Sequence, residues 1–268
     1  MVEVWLVELE LGAAALEAEE RRRPRLSQDD LERIAGLNQP QLRRQRRLST
    51  IALRVLIAAF IGSDRFARTP FARLPGGKPV LPGEPVSFSV SHVDGRALIG
   101  LSSGAPVGVD LERDRTLRMS AQRRAALIQA ANALPLATQA SPPQTLPIGV
   151  EGFGTGNDPV LRAWVRMEAL AKLDGVGVGR LLSAAGILGR RTGAVGEGAA
   201  DRPTTAPPEW PGTFAAPDVT ILDLAMPADA TGSHWYAALA AHAALMQPHR
   251  PKVQRLPVEP EDLARLTP

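Results

Sequence analysis

The chain contains no cysteine, which excludes disulfides and thiolate-bound metals. Its four histidines do not cluster like zinc ligands either. No uninterrupted apolar run reaches the roughly 18 residues of a transmembrane helix. The opening segment MVEVWLVELELG carries acids inside its apolar run and has no basic leader, so it reads as a strand rather than a signal peptide. A soluble, cytoplasmic protein is the expectation. Aromatic residues make up only 4%, and the formal net charge is only +3. With no recognisable binding motif, both count against a nucleic-acid-binding module built on Arg21–Arg25 and Arg43–Arg47. Lysine is scarce as well: Lys78, Lys172 and Lys252 are the only three among 31 basic residues. Abundant Ala, Gly, Pro and Arg look like GC-rich coding, which explains most of the arginines. Against that background a retained lysine needs a reason, and two of the three lie inside motif-like segments.

At 268 residues the chain suffices for one large domain or for two halves with a substantial core. Residues 2–9 alternate and predict a strand. A basic, polar stretch from Arg21 to Asp30 precedes a short helix over 31–36. A longer helix over 40–61 starts near Pro40 and stops at Gly62. FARLPGGKPVLP is punctuated by Pro and Gly and reads as a loop. VSFSVSHVDGRALIGLSS reads as strand, Asp94-Gly95 turn and strand, and VGVDLERD as a further strand. Residues 119–134 have a helical pattern, while 135–157 are rich in Pro, Gly, Ser and Thr and predict a loop. Asp158-Pro159 supplies the N-cap and first turn of a helix over 159–174 that Gly175 ends. Strand-like pieces follow, interrupted by a Pro/Gly-rich stretch at 201–217. DVTILDL predicts a strand, whereas the alanines of HWYAALAAH leave strand and helix both open. The tail after Pro248 is expected to be extended and poorly ordered. Helices and short antiparallel strands in two runs give an α+β class with no obvious repeat.

Asp110 and Glu112 lie two apart in a strand, so their side chains leave the same face. Glu168 and Lys172 lie four apart in a helix, so acid and ammonium share one helical face. Two carboxylates from a strand, one from a helix and a nearby cation suit a hard, oxygen-liganded metal and a phosphate substrate. The bland alternative is two solvated acids at a strand end and an ordinary surface ion pair.

Taken in order, GGKPVLP (76–82), FSVSH (88–92), VGVDLE (107–112) and WVRMEALAK (164–172) resemble the motifs of the surfactin-synthetase-activator type of 4′-phosphopantetheinyl transferase. The resemblance covers residues 40–180. It implies transfer of 4′-phosphopantetheine from coenzyme A to a serine of an acyl or peptidyl carrier protein, with release of adenosine 3′,5′-bisphosphate. It also implies two similar α+β halves related by pseudo-twofold symmetry, residues 1–104 and 105–246, with the site between them and a tail over 247–268. A monomer follows, with an acidic carrier protein as partner and neither nucleic acid nor membrane. Asp110, Glu112 and Glu168 are implied as the Mg²⁺ ligands, Glu168 as the base and Lys172 as the cation that offsets phosphate charge in the transition state. The implied coenzyme A contacts are Gly77, Lys78 and Pro79 in the loop, Ser91 and His92 in the hairpin, Asp110 and Lys172. Arg43, Arg46 and Arg47 fall in the basic region that serves the 3′-phosphate, and one or two of the run Arg43, Arg44, Arg46 and Arg47 are expected to touch it. Arg54 is a substrate or a structural arginine, and Trp164 is expected to pack beneath the site.

Two departures stand out. Ser89 replaces an asparagine of the family pattern, and Met167 replaces the lysine before the helical glutamate. Arg166 points about 100° away on the helix and need not replace that cation. A non-catalytic coenzyme A- or carrier-binding homologue therefore stays open beside the enzyme.

Overall fold

Alternation along β1 (Val2–Glu8) sends Trp5 and Val7 to one face and Val2, Val4 and Leu6 to the other, so a single strand serves two cores. A computed structural model describes residues 1–83, 86–135, 158–187, 218–226, 232–247 and 251–267. After β1 come α1 (Ala13–Arg22), α2 (Gln28–Ala35) and the long α3 (Pro40–Ile61). Ser27 and Asp30 form a reciprocal capping box at the start of α2. Pro40 occupies the first turn of α3, and Gly62, in the left-handed region, ends it. A short ribbon of β2 (Ala72–Arg73) and β3 (Pro79–Val80) lies within the expected loop. The hairpin of β4 (Val86–Val93) and β5 (Arg96–Ser103) turns at Asp94-Gly95, both at positive φ, as a tight two-residue turn requires.

The second part runs β6 (Val107–Arg113), α4 (Ala121–Asn132), α5 (Pro159–Asp174), α6 (Val178–Ala184), β7 (Val219–Asp223) and β8 (Trp235–His242). β9 (Val253–Arg255) and α7 (Pro260–Leu266) complete the chain. The larger sheet has the order β4-β5-β1-β9, and a three-stranded sheet has the order β6-β8-β7. Each part thus contains an opening strand, a long helix and two later antiparallel strands, the second of which sits in the middle. One core lies between the larger sheet and α1 and α3, a second between the sheets, and a third between the smaller sheet and α5. The fold is mixed α+β, as expected. No described helix is long and apolar enough to cross a membrane.

Five local readings change. The helix α1 lies in a stretch given no element by the sequence reading, and α2 begins before residue 31 because its capping box recruits Ser27. Residues 178–184 form a helix rather than a strand-like piece, burying Leu181 and Leu182 against the α5 core. The alanine-rich segment at 235–242 is a strand. It is covered on both faces, with Ala238 and Ala240 toward α5 and Ala237, Leu239 and Ala241 toward the other sheet. Small side chains fit there, and packing overrides their helix propensity. The tail is not simply extended. β9 pairs parallel with β1, and α7 seats Leu263 in the first core beside Leu256. Thr267 Oγ also donates to the buried Glu19. The loops expected at 135–157 and 201–217 lie outside the described residues beyond Pro135.

Leu263 is fully buried, so Leu263→Ala should lower stability by about 2–5 kcal/mol. Urea denaturation checks this; a change within error would show that the tail does not support the first core.

Candidate functional site

The site starts from a glycine. Gly108 faces α5, and a Cβ there would lie 2.0 Å from the Ala169 carbonyl oxygen and 2.5 Å from the Leu173 nitrogen. Its absence lets α5 rest directly on β6, which brings Glu168 and Lys172 over the face that carries Asp110 and Glu112. Lys172 Nζ donates to Asp110 Oδ1 at 2.6 Å, and Ser91 Oγ donates to the same oxygen at 2.8 Å. Asp110 is only 4% exposed, and its Oδ2 is buried with no hydrogen-bond partner. Burial pushes the Asp110 carboxyl above the usual range, although Lys172 and Ser91 pull the other way. Glu168 is pushed up to about 7, first by burial and then by the charge of Asp110, with a smaller push from Glu112.

Among the described residues, no group of three His, Asp or Glu side chains is gathered closely enough to hold a metal ion. The expected set Asp110, Glu112 and Glu168 therefore shares a region without forming a closed ligand shell. Lys172 occupies one oxygen of Asp110, and Arg115 holds both oxygens of Glu112 at 2.8 and 2.9 Å. The residues nevertheless fit a hard cation on two observations. Asp110 Oδ2 is an unsatisfied buried acceptor, and the charges of Asp110 and Glu112 raise the proton affinity of Glu168, which a bound cation would relieve.

Glu168 and Lys172 also line a cleft of about 610 Å³ between the two parts of the chain. Its opposite wall comes from α2, α3, the 71–79 loop and β4. Gly77, Lys78 and Pro79 line it, and Lys78 Nζ donates to two backbone carbonyls, Val107 O at 2.9 Å and Leu173 O at 2.8 Å. Burial pulls the Lys78 ammonium down to about 8. Ser89 lines the cleft and accepts from the Val109 backbone N–H across the join. His92, on the same strand, is half-buried and does not line the cleft, and burial, followed by the charge of Arg46, lowers its pKa. A neutral imidazole is the form this favours.

The arginines separate clearly. Arg54 is buried, with its guanidinium on Asp30, Ser27 Oγ and the Thr69 carbonyl and over the Phe71 ring, which is the structural one of its two expected roles. Arg47 pairs with Glu17, and the exposed Arg44 with Glu10. Arg43 is exposed and does not line the cleft. Arg46 is the member of the run that does. The sequence reading missed Arg33 and Arg73, which line the same cleft, and burial followed by the charges of Arg33 and Arg46 lowers the pKa of Arg73. Neither residue sits in a motif; only the fold joins α2, α3 and the loop ribbon. The other basic run is also committed: Arg25 is buried between Glu19 and Asp64, and Arg22 and Arg23 pair with the same two acids. Met167 points into the core beneath α5, with Trp164 packed beside that core, and Arg166 pairs with Asp223 on β7.

The folded value of Glu168, about 7, exceeds its ordinary 4.5. The folded chain therefore binds the extra proton between these values, and stability attributable to Glu168 falls as pH rises from 4.5 to 7. Urea midpoints of the cation-free protein and Glu168→Gln check this. The wild-type-minus-variant difference should decline through that window and then level off; a flat or rising difference contradicts the assignment. In comparisons with known proteins, no family model matches the chain, and no curated protein matches it.

Proposed function

We propose that the chain is a Mg²⁺-dependent 4′-phosphopantetheinyl transferase acting on coenzyme A and an apo carrier protein. One observation carries this reading: Glu168 and Lys172 meet Arg46, Lys78 and Ser89 in one cleft, with the buried Asp110 behind them. The four motifs thus converge on one place, as a shared substrate site requires. The common strand order of the two parts supports a pseudo-twofold relation between them, with the cleft at their junction.

Mg²⁺ on Asp110, Glu112 and Glu168 would offset diphosphate charge and stabilise the leaving phosphate. Arg33, Arg46 and Arg73 supply guanidiniums for the 3′-phosphate, which they can grip through paired N–H donors. Lys172 offers its ammonium to the phosphate that changes partners. Glu168, directly or through a water molecule, would accept the proton of the carrier serine. The seryl oxygen then bonds to the phosphorus attached to pantetheine, the bond from that phosphorus to the bridging diphosphate oxygen breaks, and adenosine 3′,5′-bisphosphate leaves with the electron pair on that oxygen. An acidic carrier surface suits the exposed Arg33, Arg43, Arg46 and Arg73 around this side of the chain. The nucleic-acid alternative is disfavoured because Arg22, Arg23, Arg25, Arg44 and Arg47 are paired with carboxylates.

Incubation with apo carrier protein, coenzyme A and Mg²⁺ should add the phosphopantetheine mass to the carrier. Glu168→Ala should lower the rate by about 10²–10⁴-fold, the usual contribution of a positioned base. Wild-type activity in that folded variant would remove Glu168 from the mechanism. Coenzyme A binding without transfer to any carrier would favour the non-catalytic homologue. Arg46→Ala should raise KM for coenzyme A by about 10–100-fold, the loss of a charged hydrogen bond. Steady-state kinetics against coenzyme A checks that value; an unchanged KM would place the phosphate elsewhere.

A further inference from the structure

We propose that Lys78 is a positioning residue, whose ammonium joins β6 to α5 through the Val107 and Leu173 carbonyls and so sets the distance between Asp110 and Glu168. This rests on the transferase reading above, but it gives Lys78 a different task from the phosphate contact that the motif resemblance implies. The two acceptors lie on the two elements that carry the carboxylates. Val107 opens the strand that holds Asp110 and Glu112, and Leu173 follows Lys172 in the last turn of the helix that holds Glu168. The carbonyls at that end of a helix lack internal donors and favour a cation, so the loop lysine acts as a helix cap supplied from the other part of the chain.

The backbone around Lys78 is fitted to this contact. A Cβ on Gly76 would lie 1.4 Å from the Gly175 carbonyl oxygen, and one on Gly175 would lie 2.8 Å from Lys78 Cβ. The GGKP turn therefore presses against the glycine that ends α5, and Arg73 Nη1 braces the turn on the Gly77 carbonyl at 2.7 Å. A lysine aimed at a ligand in the cleft needs no such fit against the helix end. One at a junction does.

Wild type, Lys78→Met and Lys78→Arg distinguish the two tasks. The measurements are Mn²⁺ affinity by electron paramagnetic resonance, coenzyme A affinity by calorimetry without divalent cation, and amide exchange over residues 105–112 and 168–178. Lys78→Met should weaken Mn²⁺ binding by about 10–100-fold, as loss of a group that orients metal ligands does. It should also speed exchange in both segments, leave coenzyme A affinity unchanged, and lower kcat more than it changes KM. Lys78→Arg keeps the charge but not the fit, and should behave like Lys78→Met. Unchanged Mn²⁺ affinity and exchange, with weaker coenzyme A binding that Lys78→Arg restores, would overturn the proposal in favour of a phosphate contact. If Lys78→Met does not fold, Lys78→Gln replaces it; its shorter amide cannot reach both carbonyls, so the same losses are expected and their absence overturns the proposal. Failure of the wild type to bind either coenzyme A or Mn²⁺ would instead defeat the transferase reading, and the exchange data would still decide the joining role.

Discussion

A carboxylate that is almost fully buried must be compensated, and in this chain the compensation of Asp110 joins the two parts of the molecule. Its neighbours come from three elements: Ser91 on β4, Lys172 on α5 and its own strand β6. An unpaired buried charge would cost several kcal/mol, so this arrangement requires all three elements to keep their places. One oxygen of Asp110 still lacks a partner. That incomplete solution sets Asp110 apart from the buried Arg54–Asp30 pair. Arg54 and Asp30 make the contrast: the guanidinium also reaches Ser27 and the Thr69 carbonyl, and no acceptor of that pair is left bare among the described residues.

The same junction explains where glycine and serine were needed. Gly108 admits α5 to β6, Gly76 admits the 71–79 loop to the end of α5, and Ser89 replaces a strand-to-strand contact with a side-chain acceptor for Val109. These small residues allow backbones to approach, and polar side chains then lock the approach. On the proposed reading, the substrate cleft exists because these contacts hold α2, α3 and the loop ribbon opposite α5 at a fixed separation.

Much of this was legible in the sequence where the signal was local. The caps at Pro40, Gly62, Asp158 and Gly175 bound α3 and α5 as expected, and the Asp94-Gly95 turn set the hairpin. Spacing alone placed Glu168 and Lys172 on one helical face and Asp110 and Glu112 on one strand face; that the two faces meet follows from the packing of α5 on β6. What escaped depended on partners distant in sequence. The tail reads as proline-rich and loose until β1 offers it an edge and α1 a surface. HWYAALAAH reads either way until two covered faces select small side chains in a strand. The arginine run could not be divided from sequence, because Glu10, Glu17 and the cleft that separate Arg44, Arg47 and Arg46 belong to other elements. Met167 looked like a missing cation; its burial in the α5 core makes it a packing residue.

On the proposed transferase reading, the Lys172–Asp110 pair holds the site in its ligand-free form, and Lys172 turns to phosphate when cation and substrate bind. A crystal structure grown with coenzyme A and Mg²⁺ tests it most directly. The account predicts a cation on Asp110 and Glu168, with Lys172 moved from Asp110 to a phosphate oxygen and coenzyme A in the cleft between α3 and α5. Coenzyme A bound elsewhere, or an unchanged Lys172–Asp110 pair with no cation beside it, would contradict the account.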